Sequence, residues 1–118
     1  MRLAILALDG LFDTGFTVIL DALSLANKFS AATLGGTPHF DLSTVGVRRK
    51  VRSAQGLPIP VQPIAAERRP DWVIVPALAT STPDVLVPAL ERPDVKQAKR
   101  QLLDWQAQGT QVAAACIG

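Results

Sequence analysis

Three short apolar runs stand out in this sequence, and segments with helical periodicity separate them. The runs are residues 3–8, 72–76 and 110–115. A strand that is covered on both faces reads as a continuous apolar run, because neither face meets water. Buried strands that alternate with amphipathic helices imply a parallel sheet with right-handed crossovers. The sequence therefore predicts an α/β fold: a doubly wound, mostly parallel sheet in a flavodoxin-like three-layer sandwich.

The first half of the chain adds a helix, a strand and a hairpin to this frame. A helix is predicted from Asp13 or Thr14, either of which could cap it, to about Ser30. Residues 35–38 are predicted to form a loop and residues 40–47 a second strand. Residues 51–61 are predicted to form a β-hairpin insertion, and its two prolines would keep it at a sheet edge.

The second half of the chain predicts two helices before the last strand. Pro83 suits the first turn of a short helix. Residues 94–108 have the pattern of a longer helix that ends before Gly109, a suitable C′ residue. We expect the buried face of this helix to carry Val95, Leu102, Leu103 and Trp105. Both tryptophans, Trp72 and Trp105, are predicted to be packing residues.

Composition excludes several classes of protein. A chain of 118 residues is one domain at most, and 48% hydrophobic residues argue against disorder. A net charge of +2 is too small to indicate a nucleic-acid surface. The basic run at residues 48–52 could contact phosphate, or it could simply be a solvated flank of the hairpin. No run is long enough for a membrane span, and nothing argues for secretion, so we predict a cytoplasmic protein without membrane contact.

Sequence motifs for cofactors and metals are missing. No Gly-x-Gly-x-x-Gly follows the first strand and no Gly-Lys-Ser/Thr occurs, so no nucleotide cofactor is predicted. His39 and Cys116 are the only residues of their types and lie far apart in the chain, which predicts no metal site. A single cysteine also excludes an intrachain disulfide.

The segment around Cys116 carries the strongest chemical signal. A strand that delivers a nucleophile-type residue to a turn with a small residue, here Ile117 and Gly118, is the first half of a nucleophile elbow. The carboxyl ends of the three apolar strands lie at Asp9/Gly10, residues 76–77 and Cys116, and they should converge. Other interpretations remain open: Cys116 as a small buried hydrophobe, Asp13 as a helix cap, and Asp9 as a turn residue.

The opening strand, the Pro-Asp-Trp-Val-Ile-Val-Pro segment and the Cys116-Ile-Gly end together resemble the ThiJ/PfpI superfamily, whose fold is that of class I glutamine amidotransferases. The resemblance implies a cysteine on the elbow and an acid from the segment after the first strand. Cys116 and Asp13 are the matching residues. Three features depart from the pattern: a proline frequent in the first helix is absent, with Thr17 or Val18 near its place; residues 77–79 replace a frequent Gly-Gly; and Ile117 replaces the histidine of proteolytic members.

Residues 22–27 and 53–57 also resemble one branch, the N-terminal domains of GlxA-type AraC-family transcription regulators. This resemblance implies that residues 1–118 are part of a ligand-sensing, dimerising domain. The rest of that domain and the DNA-binding helix-turn-helix motifs would then follow residue 118. A small-molecule effector would bind near the strand ends, at Asp9, Gly10, Asp13, Ala77, Leu78, Cys116 and Ile117. DNA would be contacted only through the later domain.

Two other functions stay open at this point. The first is a ThiJ/PfpI-type hydrolase, hydratase or glyoxalase with Cys116 as nucleophile and Asp13 as its partner acid. The second is a scaffold subunit that contributes only an interface. Because regulator domains of this type often keep the scaffold without turnover, the sensing role is favoured over catalysis.

Overall fold

A five-stranded parallel sheet forms the centre of the computed structural model, which describes residues 1–33, 35–36, 39–66 and 68–118. Thr37 and Pro38 of the predicted loop lie outside the described residues. The elements in chain order are β1 Arg2–Leu6, α1 Asp13–Thr33, β2 Asp41–Gly46, β3 Val51–Arg52, β4 Pro58–Ile59, β5 Gln62–Pro63, a 3-10 turn Ile64–Ala66, β6 Trp72–Val75, α2 Pro83–Leu90, α3 Pro93–Ala107 and β7 Gln111–Ala114. The strand order is β5-β2-β1-β6-β7.

The central strand β1 is buried on both faces, as its continuous apolar run predicts. Leu3, Ile5 and Ala7 belong to one buried cluster, together with side chains of α1. The alternate residues Ala4, Leu6 and Leu8 belong to a second cluster, together with side chains of α3. Because successive side chains of a strand point to opposite faces, α1 and α3 cover opposite sides of the sheet. The predicted three-layer arrangement is therefore confirmed.

The crossovers run in opposite directions from the middle of the sheet. The helix α1 connects β1 to β2 on one side, and α3 connects β6 to β7 on the other. Both crossovers are expected to be right-handed. Right-handed crossovers that run toward opposite edges of a sheet must pass over opposite faces of it, which is the doubly wound arrangement. The strand order therefore reverses between β1 and β6, and ligands of such sheets bind outside the carboxyl ends at this point.

The predicted hairpin forms as a separate small sheet. Its strands β3 and β4 pair antiparallel, with Val51 opposite Ile59 and Arg52 opposite Pro58. The prediction missed β5, which pairs parallel with β2 and is the edge strand of the main sheet. Only two residues long and ending in proline, it carries no periodicity that sequence analysis could detect.

The helices differ from the prediction at their ends and at one side chain. The first helix runs to Thr33, beyond the predicted end near Ser30, and α3 begins one residue earlier than predicted, at Pro93. Gly109 has a φ of 97°, as expected of a C′ residue. Leu103 was predicted to face the core but is 54% exposed. No helix in the described part of the chain is long and apolar enough to cross a membrane.

Asn27 joins α1 to the start of β2. Its side-chain Nδ2 donates to the carbonyl of Phe40 at 2.8 Å, and the backbone N–H of Phe40 donates to its Oδ1 at 2.7 Å. These two hydrogen bonds between one amide side chain and the backbone of one residue attach the second half of α1 to the segment that enters β2.

Candidate functional site

The loop after β1 is held on both sides by backbone hydrogen bonds. On the hairpin side, the N–H of Gly10 donates to Arg52 at 2.9 Å. On the β6 side, the N–H of Phe12 donates to Ala77 at 2.8 Å and that of Ala79 to Gly10 at 2.9 Å. Gly10 has a φ of 77°, a left-handed conformation that favours glycine. Hydrogen bonds therefore hold the loop in place between the hairpin and the segment after β6.

Asp9 also holds this loop in place, through its side chain and its backbone carbonyl. Its Oδ1 accepts the backbone N–H of Arg52 at 2.9 Å, and its backbone carbonyl accepts Nη1 of Arg92 at 3.0 Å. The predicted turn role of Asp9 agrees with these contacts. Its predicted role in ligand binding remains a prediction.

Arg92 and Asp94 form a partly buried ion pair beneath the loop, which sequence analysis did not identify. The guanidinium donates two hydrogen bonds to the carboxylate, Nε to Oδ1 at 3.0 Å and Nη2 to Oδ2 at 2.6 Å. The side chain of Asp94 is 5% exposed and that of Arg92 is 32% exposed. The hydrogen bonds from Arg92 hold the pKa of Asp94 below its ordinary value. Arg92 also binds Asp9, 83 residues away, and no local pattern indicates a contact over that separation.

Cys116 lies on a left-handed turn at the carboxyl end of β7. The N–H of Ala115 still donates to Val75 at 3.0 Å, so the sheet continues up to the cysteine. Cys116 then adopts a φ of 56°, the only positive φ among the described non-glycine residues. This conformation is uncommon for a residue with a Cβ and costs about 1–2 kcal/mol. A strained nucleophile-type residue at the carboxyl end of a strand has the geometry of a nucleophile elbow. The strand itself was predicted to be covered on both faces, but β7 lies at the edge of the sheet, Val112 is 40% exposed and Cys116 is exposed.

The turn closes on Gly118, where a side chain would not fit. The N–H of Gly118 donates to the carbonyl of Ala115 at 2.9 Å. A Cβ at Gly118 would overlap the backbone carbonyl of Val75. This position, two residues after the cysteine, thus requires glycine, as the elbow motif does.

The backbone strain at Cys116 gives a direct prediction. Cys116→Gly should be about 1 kcal/mol more stable than Cys116→Ala, because only glycine adopts this φ without a Cβ penalty. Urea denaturation of both variants checks this. Ala115→Gly is the matched control: Ala115 precedes the turn and has no positive φ, so glycine there should destabilise. Equal stability of the two Cys116 variants would contradict the strained turn.

A cavity of about 400 Å³ lies beside Cys116 at the carboxyl ends of the strands. It is lined by Phe12, Ala77, Leu78, Ala79, Thr80, Ser81, Cys116 and Ile117. Four of the residues predicted to bind a ligand thus line one cavity: Ala77, Leu78, Cys116 and Ile117. Sequence analysis missed the other four lining residues, which are Phe12, Ala79, Thr80 and Ser81. The Oγ1 atom of Thr80 is buried and has no hydrogen-bond partner among the described residues.

Asp13 lines a different cavity. This cavity of about 380 Å³ lies between α1 and the hairpin and includes Phe16, Leu20 and Ile59. Asp13 is the first residue of α1, and its Oδ1 accepts the N–H of Gln55 at 3.1 Å, so it joins the helix to the hairpin instead of capping the helix. The structure does not bring Cys116 and Asp13 into one cavity.

The described residues that line the cavity beside Cys116 include no acid and no histidine. His39, the only histidine, lies just before β2, at the amino ends of the parallel strands. Cys116 lies at their carboxyl ends. The described residues also contain no group of three or more His, Cys, Asp or Glu side chains that could hold a metal ion.

Comparison with solved structures identifies proteins that share this fold. No family model and no curated protein sequence matches the chain. An AraC family transcriptional regulator from Pseudomonas putida matches with a TM-score of 0.69 and 21% identity, over 96% of this chain and 54% of its own. A two-domain protein from Anabaena variabilis, with DJ-1/ThiJ/PfpI-like and ferritin-like domains, matches with a TM-score of 0.65 and 23% identity, over 99% of this chain and 30% of its own.

The chain has the DJ-1/ThiJ/PfpI fold. The oxidized DJ-1 of Toxoplasma gondii also matches, with a TM-score of 0.65 and 16% identity, over 98% of this chain and 55% of its own. The chain thus spans about half the length of these solved structures or less. The resemblance stated from the sequence is confirmed at the level of the fold.

Proposed function

We propose that residues 1–118 belong to the effector-sensing and dimerising N-terminal domain of an AraC-type transcription regulator. A small metabolite would bind in the cavity beside Cys116, and DNA would be bound by helix-turn-helix motifs outside these residues. The fold shared with the Pseudomonas putida regulator supports this proposal. Regulation in the cytoplasm and a homodimeric state are parts of the same proposal.

The cavity beside Cys116 is the observation that carries the proposal. Its volume of about 400 Å³ suits a small metabolite. Its lining residues are mainly apolar, and three of them carry a hydroxyl or thiol group: Thr80, Ser81 and Cys116. A buried hydroxyl without a partner costs about 1–3 kcal/mol. A bound effector that hydrogen-bonds Thr80 would recover that cost.

Binding is favoured over catalysis by the same geometry. A cysteine nucleophile needs a base within hydrogen-bond reach, or another group that stabilises its thiolate. The one acid that the resemblance offers, Asp13, lines the other cavity and accepts a hydrogen bond from Gln55. The alternative, a cysteine hydrolase, hydratase or glyoxalase, would require a different arrangement of Asp13.

Thr80→Val tests the proposed effector site. Valine has nearly the same shape but no hydroxyl, so it removes the unpartnered oxygen. We expect the free energy of unfolding to rise by about 1 kcal/mol. In a thermal-shift screen of small metabolites, we expect compounds that raise the Tm of the wild-type protein to raise it less for Thr80→Val and for Cys116→Ala.

Thr17→Val is the matched control, because Thr17 lines the other cavity. It should leave the ligand-induced Tm shift unchanged. If Thr17→Val reduces the shift and Thr80→Val does not, the effector lies between α1 and the hairpin, and the proposed site is wrong. Turnover of a substrate that is lost in Cys116→Ala would favour the enzyme.

A further inference from the structure

The cavity between α1 and the hairpin combines an apolar lining with a single carboxylate. Its volume of about 380 Å³ lies in the range of small-molecule sites. Asp13, the first residue of α1, is the one charged residue among the described residues that line it. Six of the ten lining residues are apolar: Phe16, Leu20, Leu57, Pro58, Ile59 and Pro60. The cavity therefore offers a ligand one negative charge and a largely apolar surface.

The two oxygens of the Asp13 carboxylate have different surroundings. Oδ1 accepts the backbone N–H of Gln55 at 3.1 Å. Oδ2 is buried and has no hydrogen-bond partner among the described residues. Asp13 also belongs to neither of the two ion pairs that the described residues form. Because a buried carboxylate oxygen without a donor is costly, a ligand that supplies a donor and a positive charge would gain affinity there.

The hydroxyl groups nearest to Asp13 in the chain and in the hairpin are occupied by other contacts. Thr17 Oγ1 donates to the backbone carbonyl of Asp13 at 3.0 Å, within α1. Ser53 is 7% exposed, and its Oγ accepts the backbone N–H of Leu57 at 3.0 Å. Both residues line the cavity, and a hydroxyl oxygen can accept a further hydrogen bond. The cavity therefore has several acceptors for a ligand that carries more than one N–H.

We propose that this cavity binds a small primary amine with an apolar body, and we call it the amine cavity. The ammonium group would donate to Oδ2 of Asp13. An ionised carboxylate only accepts hydrogen bonds, and a cationic donor binds it about twice as strongly as a neutral donor does. The apolar body would lie against the apolar lining and cover Leu57, a lining residue that is 58% exposed.

This inference does not rest on the proposed function. Phe12 lines the cavity beside Cys116, whereas Asp13, the next residue, lines the amine cavity. The described lining of the cavity beside Cys116 contains no charged residue, so an amine has a counter-charge only in the amine cavity. The two sites are therefore judged by different variants, Thr80→Val for the effector and Asp13→Asn for the amine.

An NMR titration with 2-phenylethylamine at pH 7 tests the proposal. This probe has a primary ammonium group and an apolar ring, and we expect it to bind the wild-type protein with a Kd of about 1 mM. The comparison probe is 2-phenylethanol, which has nearly the same shape and a hydroxyl donor but no charge. It should bind about tenfold more weakly, because it lacks the ionic part of the bond to Asp13.

Asp13→Asn should weaken the Kd of the amine about tenfold and leave that of the alcohol within about threefold of its wild-type value. Asparagine has the same shape and keeps an oxygen that can accept the N–H of Gln55. Unchanged binding of the alcohol thus also verifies that the cavity is intact. Leu57→Ala should weaken both probes by a similar factor, about threefold, because it removes apolar contact surface and no charge.

Asp21→Asn is the control for a general attraction between the amine and a negative charge. Asp21 is exposed on the same helix and does not line the cavity, so the Kd of the amine should stay within about twofold of the wild-type value. An amine that binds the wild-type protein no better than the alcohol would overturn the proposal. So would equal losses in Asp13→Asn and Asp21→Asn, or a loss in Thr80→Val without one in Asp13→Asn.

Discussion

Replacing Trp105 with alanine is expected to lower the free energy of unfolding by about 4 kcal/mol. Trp105 lies on α3 and is 3% exposed. It belongs to the buried cluster that contains Leu6, Leu8 and Val73, on the face of the sheet opposite α1. Alanine would leave a cavity there, because close-packed neighbours relax only partly into the space. A loss of this size is a large part of the stability of an ordinary domain.

Trp72→Ala is the matched control for the loss at Trp105. Trp72 was also predicted to be a packing residue, but it is 39% exposed. It lies in β6, between Leu3 of β1 and Gln111 of β7. Because much of its surface already meets water, we expect a loss of only about 1 kcal/mol. Urea denaturation compares the two variants, and in each the remaining tryptophan reports unfolding by fluorescence. Equal losses would contradict the burial difference.

Arg92→Ala should have the next largest effect, about 2 kcal/mol. Removing one partner of a buried ion pair costs about 3–5 kcal/mol, because the other charge is left unpaired. Exposed pairs contribute at most about 1 kcal/mol. Asp94 is nearly buried, whereas the side chain of Arg92 is 32% exposed, so an intermediate value is expected. The variant also removes the hydrogen bond to the Asp9 carbonyl, which should loosen the loop beside both cavities.

The ion pair also predicts a dependence of stability on pH. The pKa of Asp94 is lowered in the folded protein, chiefly by hydrogen bonds from Arg92. The unfolded state therefore binds a proton first as the pH falls. The contribution of the pair is complete above the ordinary aspartate pKa of about 4 and is lost as the pH falls through the lower pKa of the folded state. The stability difference between wild type and Arg92→Ala should thus shrink below about pH 4.

Lys96→Ala provides the comparison for the Arg92 variant. Lys96 pairs with Glu91 at 2.6 Å, but both side chains are largely exposed, at 55% and 70%. Solvent screens this pair, so the Tm should stay unchanged within experimental error. Unfolding curves of both variants at pH 7 and at pH 3 separate the two cases. If Arg92→Ala were as mild as Lys96→Ala at pH 7, the pair would not hold the loop as described.

The sheet and its helices could be predicted because their signals are local and repeat along the chain. The run at residues 3–8 is apolar at every position, which indicates a strand covered on both faces, and β1 is buried in this way. The side chains of α1 that belong to or pack on the buried cluster of the sheet, Phe16, Ile19, Leu20 and Leu23, likewise recur at helical spacing. The short edge strand β5 was missed, since two residues carry no period.

Only the part of the candidate site that follows from the order and direction of the strands could be predicted from the sequence. The carboxyl ends of parallel strands must lie at one edge of the sheet, so the sequence alone indicated that residues near Ala77 and Cys116 would be neighbours. Whether Asp13 shares their cavity depends on how the loop after β1 passes between the hairpin and the segment after β6. Hydrogen bonds from residues more than forty positions away hold that loop. The sequence pattern within a segment indicates the secondary structure of that segment and which of its faces is buried. Contacts between distant segments depend on how those segments pack, and they placed Asp13 and Cys116 in separate cavities.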